Sequence, residues 1–310
     1  MATRTITENV NQAVQDFDNI KQAIIDKGIE VPNGTPTSEY ADKIGTIKIN
    51  GLDTSTITDF SYFGQNNRFG TGEILTGLNT KSGTSFSYMF QNCTSLTTIP
   101  QLDTSNGTNF NVMFGGCRSL TTIPQLDTSS GTNFRYMFQN CTSLTTIPQL
   151  NTSNGTDFSS MFYNCSRLTT IPQLDTSNGT SFSYMFQNCT SLTTIPQLDT
   201  SNGTDFSYMF GDCRSLTTIE LTSFVASQNM FYGCSALENL TITGTITVNN
   251  NYLNLSYSPK LTVESLMNVI NALSDNTGKT TYTVTLGATN LAKLTDEQKQ
   301  IAIDKNYTLA

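Results

Sequence analysis

Seven cysteines are the side chains here best suited to chemistry, and their spacing limits what that chemistry can be. Cys93, Cys117, Cys141, Cys165, Cys189 and Cys213 follow one another at intervals of 24, and Cys234 closes the series at 21. None belongs to a CxxC pair, and the 310-residue chain has no histidine, so the ligand spacing of a zinc site is missing. The same absence removes imidazole as general base and as partner of a serine or cysteine nucleophile. If equivalent copies stack, their Cβ vectors run parallel instead of converging, which is poor disulfide geometry. The adopted reading is a ladder of reduced, buried cysteines acting as small apolar side chains. Disulfides between stacked copies are the alternative.

Carboxylates offer the second set. Asp103, Asp127, Asp175 and Asp199 form a row, with Asn151 in its gap. Stacked carboxylates could recruit calcium, whereas turn-capping serves the same residues without metal. Glu220 and Glu238 stand singly, with no second carboxylate to make a glycosidase pair. No glycine-rich phosphate loop follows a strand pattern. The expectation is a non-enzymatic protein with no cofactor and no bound metal.

Composition narrows the partners. Only 13% of residues are charged, the net charge is −8, and 16 Lys and Arg are scattered, which provides no basic stripe for a phosphate backbone. No apolar run reaches the 18 or so residues that span a bilayer. The opening MATRTITENVNQ lacks the basic, apolar and small-residue regions of a secretory signal, so synthesis in a cytoplasm without the usual export route is expected.

The elements that position these residues come from repetition. FSYMFQNCTSLTTIPQLDTSNG runs from Phe86 to Gly107 and returns unchanged from Phe182 to Gly203, and a period of this length signals a solenoid. Within a unit, Phe86, Met89, Phe90 and Cys93 are spaced to share one face of a short helical turn. Leu96, Ile99 and Leu102 enter a Thr-rich extended stretch in which Pro100 ends the strand near Ile99. Asn106-Gly107 favours positive φ at both residues and turns the chain. An eroded copy precedes the series, with Asp59-Phe60-Ser61-Tyr62 and Leu78-Asn79-Thr80. One unit buries too little to hold itself together, so neighbours must share a core.

The pattern MF-x-x-C-x-x-L-x-x-I-x-x-L resembles the BspA-like leucine-rich repeats of bacterial surface and phage-associated proteins, over about residues 51–240. The resemblance implies a curved α/β solenoid, short strands on one side and helical turns on the other. The chain departs from it at Gly107, Gly155, Gly179 and Gly203, where many relatives carry a β-branched or apolar residue.

Three regions follow. Residues 1–48 read as an attachment or oligomerisation segment: Thr5 to Glu8 is a capping-box pattern opening a helix to about Lys27, with Val10, Ala13, Phe17, Ile20 and Ile24 at heptad-like positions. A second short helix is expected from Ser38 to Ile44. IKQAIIDKGIEVPNGTPTSEYADKIGTI resembles N-terminal segments of tail and fibre proteins from phages of Gram-positive hosts. Residues 49–240 are the leucine-rich-repeat solenoid, and 241–310 an α+β cap. The cap reading takes Leu240–Val248 and Tyr282–Leu286 as strands, Thr262 as the cap of a helix carrying Leu266, Val269, Ile270 and Leu273, and Thr295 to Gln298 as the start of a last helix.

Between copies the Thr-Thr-Ile-Pro-Gln stretch is constant, while the turn side varies and acquires aromatics and arginines: Tyr88, Arg118, Arg135, Tyr136, Tyr163, Arg167, Tyr184, Tyr208 and Arg214. Tyr and Arg are favoured at interfaces, so these residues are the candidate contact surface. Drift on a solvated face is the alternative. Together the resemblances imply a virion structural protein (tail fibre, baseplate or head fibre) presenting its repeats for host attachment. Its partners would be other virion proteins through residues 1–48, a host-surface glycan or protein, and sister subunits, with a trimer as the guess. The other reading is a BspA-like surface adhesin or protein-binding repeat scaffold.

Overall fold

The computed structural model describes residues 54–66 and 78–310. The expected helices over residues 1–48, with Val10, Ala13, Phe17, Ile20 and Ile24, lie outside the described residues. Within the described residues the repeats form coils stacked in parallel. Single parallel bridges join Asp59 to Ser85, Ser85 to Asn109, Asn109 to Asn133 and so on to Asp205.

Side-chain columns run through the stack. Phe60, Phe86, Phe110, Phe134, Phe158, Phe182 and Phe206 stack with nearly parallel rings, centroids 5.3–5.8 Å apart. The second phenylalanine of each unit, Phe90 to Phe231, forms another column at 5.5–5.9 Å, within the favoured range for offset aromatic pairs. The seven cysteines are free and buried. Each thiol donates to a carbonyl of the coil before it, as Cys141 does to Phe114 at 3.1 Å and Cys234 to Phe210 at 3.1 Å. Burial pushes the thiols of Cys141, Cys165, Cys189, Cys213 and Cys234 up from their ordinary values. These are the reduced rungs read from the sequence.

The backbone differs from the expectation in three places. First, the turn segment buries the expected face, Phe86, Met89, Phe90 and Cys93, but it is not helical. Its amides alternate between two kinds of acceptor. Met89, Gln91 and Cys93 close turns onto residues three back, whereas Phe86, Tyr88, Phe90 and Asn92 donate to Asn109, Asn111, Met113 and Gly115 of the next coil. This zigzag is possible because Tyr88 and Asn92 take φ of 59° and 58°, the left-handed third position of a type II turn. Bonds to a neighbouring coil replace the i−4 bonds a helix would need.

Second, the Thr-Thr-Ile stretch is extended but makes only a thin ladder in the central coils, such as Thr121 N–H to Thr97 O at 3.3 Å. A regular strand begins where Pro196 is followed, one unit later, by Glu220. There β1 (Thr218–Leu221) pairs in parallel with β3 (Asn239–Ile242). Proline supplies no ladder donor, and its loss restores one.

Third, neither Asn106 nor Gly107 has positive φ. The glycine answers to proximity: a Cβ on Gly107 would lie 2.6 Å from Phe110 Cζ and 2.9 Å from Phe86 Cε2. Where Ser227 replaces the first phenylalanine, Phe224 takes the glycine's place and packs edge-on against Phe206 at 6.1 Å.

Stacking passes the expected boundary at 240. The Thr97 row continues through Thr217 and Glu238 to Thr262, and Ser258, fully buried, stands 24 residues after Cys234. β2 (Phe224–Val225) pairs in parallel with β4 (Ile246–Thr247), so the single strand expected over Leu240–Val248 is split into β3 and β4. Helix α1 (Val263–Ala272) packs on β3, N-capped by Thr262, whose side chain accepts from Ser265 N–H. β5 (Tyr282–Val284), α2 (Ala288–Leu291), α3 (Asp296–Asp304) and β6 (Tyr307–Leu309) complete the region, with β5 and β6 parallel. Thr295 and Gln298 form the capping box of α3.

Candidate binding surface

The turn segment places one residue of each coil in the left-handed region with its side chain along a common row. Tyr62, Tyr88, Tyr136, Tyr184 and Tyr208 occupy it at φ of 53–65°, and Val112, Ser160 and Asn229 interrupt it. An L-residue other than Gly, Asn or Asp in this conformation costs roughly 1–2 kcal/mol. The next left-handed row makes the economical choice, Asn92, Asn140, Asn164 and Asn188. Tyrosine in the first row is therefore not favoured by its backbone, and none of the five is fully buried: Tyr62 is 54% exposed and Tyr184 38%, while Tyr88, Tyr136 and Tyr208 are half-buried.

The row is preorganised. Tyr62 stacks on Tyr88 at 4.8 Å and Tyr184 on Tyr208 at 5.2 Å. Tyr208 Oη accepts from Asn229 Nδ2 at 2.6 Å. Arg135 lies over the Tyr136 ring, 4.8 Å from its centroid, and donates to its hydroxyl at 3.2 Å, a cation–π pair. That hydrogen bond, chiefly, raises the Arg135 pKa. Burial, with Tyr88 adding to it, raises the Tyr62 hydroxyl. The other candidates lie on neighbouring rows: Arg118 and Arg167 are exposed, Tyr163 is half-buried, and Arg214 pairs with Asp212 at 3.0 Å. Tyr62 was not in the set read from the sequence; its register through Phe60, 26 residues before Phe86, is the signal that reveals it.

The aspartate row lies on a different edge. Asp103 accepts from the Ser105 amide and hydroxyl at 3.2 and 2.7 Å, and those bonds hold its carboxyl below the ordinary value, as at Asp127 and Asp199. The aspartates therefore cap turns. Gln101 and Gln173 donate their amides to carbonyls of the next coil at 2.6 and 2.8 Å. An open groove of about 550 Å³ runs along this edge, lined by Gln125, Asp127, Gln149, Asn151, Gln173 and Asp175 among others. Among the described residues no three His, Cys, Asp or Glu side chains gather as a metal would need, and no helix is long and apolar enough to cross a membrane.

Comparison with known proteins adds the family. A leucine-rich repeat protein of T. pallidum (TpLRR) is 19% identical over 61% of this chain and 75% of its own, with a TM-score of 0.37. A leucine-rich repeat protein from Bacteroides ovatus ATCC 8483 is 13% identical over 74% and 82%, with a TM-score of 0.25. No curated relative matches. The family described as Mycoplasma protein of unknown function, DUF285, matches twice, over residues 37–149 and 132–244, and this chain belongs to it.

Proposed function

We propose that the chain is a non-enzymatic, protein-binding repeat scaffold of the adhesive kind, with the left-handed tyrosine row as its contact edge. One observation carries this reading: tyrosines that are exposed (Tyr62, Tyr184) or half-buried (Tyr88, Tyr136, Tyr208) persist where the local conformation disfavours them, so their retention is explained by what they meet outside the coil. The rigid columns beneath fix the spacing of the row, so several weak contacts act together. The partner is a protein or glycan of a cell surface. A virion attachment protein is the second reading; the wording of residues 1–48 favours it, and the same edge would then face the host envelope.

The test is adhesion of beads coated with the chain to a panel of bacterial cells, comparing the native sequence with a variant carrying Tyr62→Ser, Tyr88→Ser, Tyr184→Ser and Tyr208→Ser. Serine already occupies this position at Ser160, so the coil tolerates it. A tenfold or greater loss of adhesion is expected. Equal adhesion by the two chains overturns the proposal.

A further inference from the structure

Four turns of the stack carry the same five residues, TSNGT, beginning at Thr104, Thr152, Thr176 and Thr200. Each contains Asn-Gly, a pair open to spontaneous loss of the asparagine amide because glycine, lacking Cβ, leaves its own nitrogen unhindered. In that reaction the glycine nitrogen gives its proton to a base in solvent and attacks the asparagine Cγ. A C–N bond closes an imide ring, the Cγ–Nδ2 bond breaks, and ammonia leaves. Water then opens the ring to aspartate or isoaspartate, and no other co-reactant is needed.

The fold ties down both reacting groups. The attacking amides are occupied: Gly107, Gly155 and Gly179 donate to Thr104, Thr152 and Thr176 O at 2.8 Å, and Gly203 to Thr200 O at 3.0 Å. These glycines are buried, whereas the four asparagines are exposed. Each asparagine Nδ2 is nevertheless held by the coil before it. Asn106 donates to Lys81 O at 2.8 Å, and Asn154, Asn178 and Asn202 to Ser129, Ser153 and Ser177 O at 2.7 Å. The coil after it holds the other side, where the hydroxyls of Thr104, Thr152 and Thr176 donate to Asp127, Asp175 and Asp199 O at 2.7–2.8 Å.

We propose that each Asn-Gly turn is a self-modification site, kept closed by the coils on either side and opened only when they part. Coils of a repeat stack touch only their neighbours and open locally below the cost of global unfolding, so the reaction marks individual turns. The mark is one-way. An ionised aspartate only accepts, so a carboxylate at position 154 has no proton to give Ser129 O, and isoaspartate adds a backbone atom to the turn. Either product disfavours restacking. The chain carries its own comparison at Thr128–Thr132, TSSGT, where Ser130 Oγ keeps the same contact, to Ser105 O at 3.2 Å, with no amide to lose.

The experiment follows amide loss by peptide-mapping mass spectrometry in the full folded chain and in the free peptide TSNGT, in one mildly alkaline buffer with and without unfolding urea. Without urea, Asn106, Asn154, Asn178 and Asn202 should convert at least tenfold more slowly than the peptide. In urea the four sites should reach the peptide's rate. The variant Ser130→Asn writes TSNGT into the turn that lacks it and should be protected equally, since Ser105 O is already in place to accept. Conversion at the peptide's rate in the folded chain overturns the inference, at the native sites or at the new one. Protection that survives in urea also overturns it, because the cause is then the local sequence and not the neighbouring coils.

Discussion

Replacing Gly155 with alanine tests the packing logic of the stack at one atom. A Cβ there would lie 2.5 Å from Phe158 Cζ, 2.9 Å from Thr152 O and 3.0 Å from Phe134 Cε2. The ring cannot swing aside, because Phe158 is stacked on both faces, on Phe134 and Phe182, at 5.7 Å each. Gly155 is not among the positive-φ residues, so alanine suffers no backbone strain and would ordinarily gain about 0.4–1 kcal/mol from the unfolded state. Overpacking of a filled core costs about 1–3 kcal/mol. The net expectation is a loss of about 1–2 kcal/mol, read as a lower urea midpoint with an unchanged m-value. The diagnostic measurement repeats Gly155→Ala in a Phe158→Ser background, where the ring is gone. The chain itself uses this exchange at Phe224 and Ser227. There the alanine should cost less, because the closest contact is gone and only those with Thr152 O and Phe134 Cε2 remain, a coupling of at least about 1 kcal/mol in the double-mutant cycle. The same cost in both backgrounds would refute proximity as the reason for glycine.

Two further outcomes follow from the cysteine column. Folding raises the thiol pKa of Cys141, Cys165, Cys189, Cys213 and Cys234 by burial, so the folded chain keeps protons that the unfolded chain releases above about pH 8.5. Stability is therefore complete below that pH and declines above it, by up to about 1.4 kcal/mol per pH unit for each thiol. Urea midpoints between pH 8 and 10 should fall less steeply for Cys141→Ala than for the native chain, and equal slopes would contradict the linkage. Ser258 occupies the next rung with a buried hydroxyl that has no partner. An unsatisfied group costs about 1–3 kcal/mol, so Ser258→Cys should raise the melting temperature with about 1 kcal/mol of stabilisation, and a lower melting temperature would show that the rung is not continued there.

Much of the interior was legible in the sequence because burial follows side-chain spacing. Phe86, Met89, Phe90 and Cys93 point inward whether their backbone is helix or zigzag, and the parallel cysteines stay reduced for the same geometric reason. The caps at Thr262 and Thr295 were legible because capping involves neighbours in sequence. The tyrosines and arginines of the contact edge were visible as variation, without any indication of which of them stand together.

What only the tertiary structure decided is where backbone amides find their acceptors. A helix satisfies Phe90 N–H within its own segment; here Met113 O of the next coil is available at 2.8 Å, and that choice is invisible within one repeat. From it follow the left-handed row and the stacked tyrosine pairs. The glycines show the same division: turn chemistry pointed to φ, whereas the controlling fact is a phenylalanine ring whose position is set by the coils on either side.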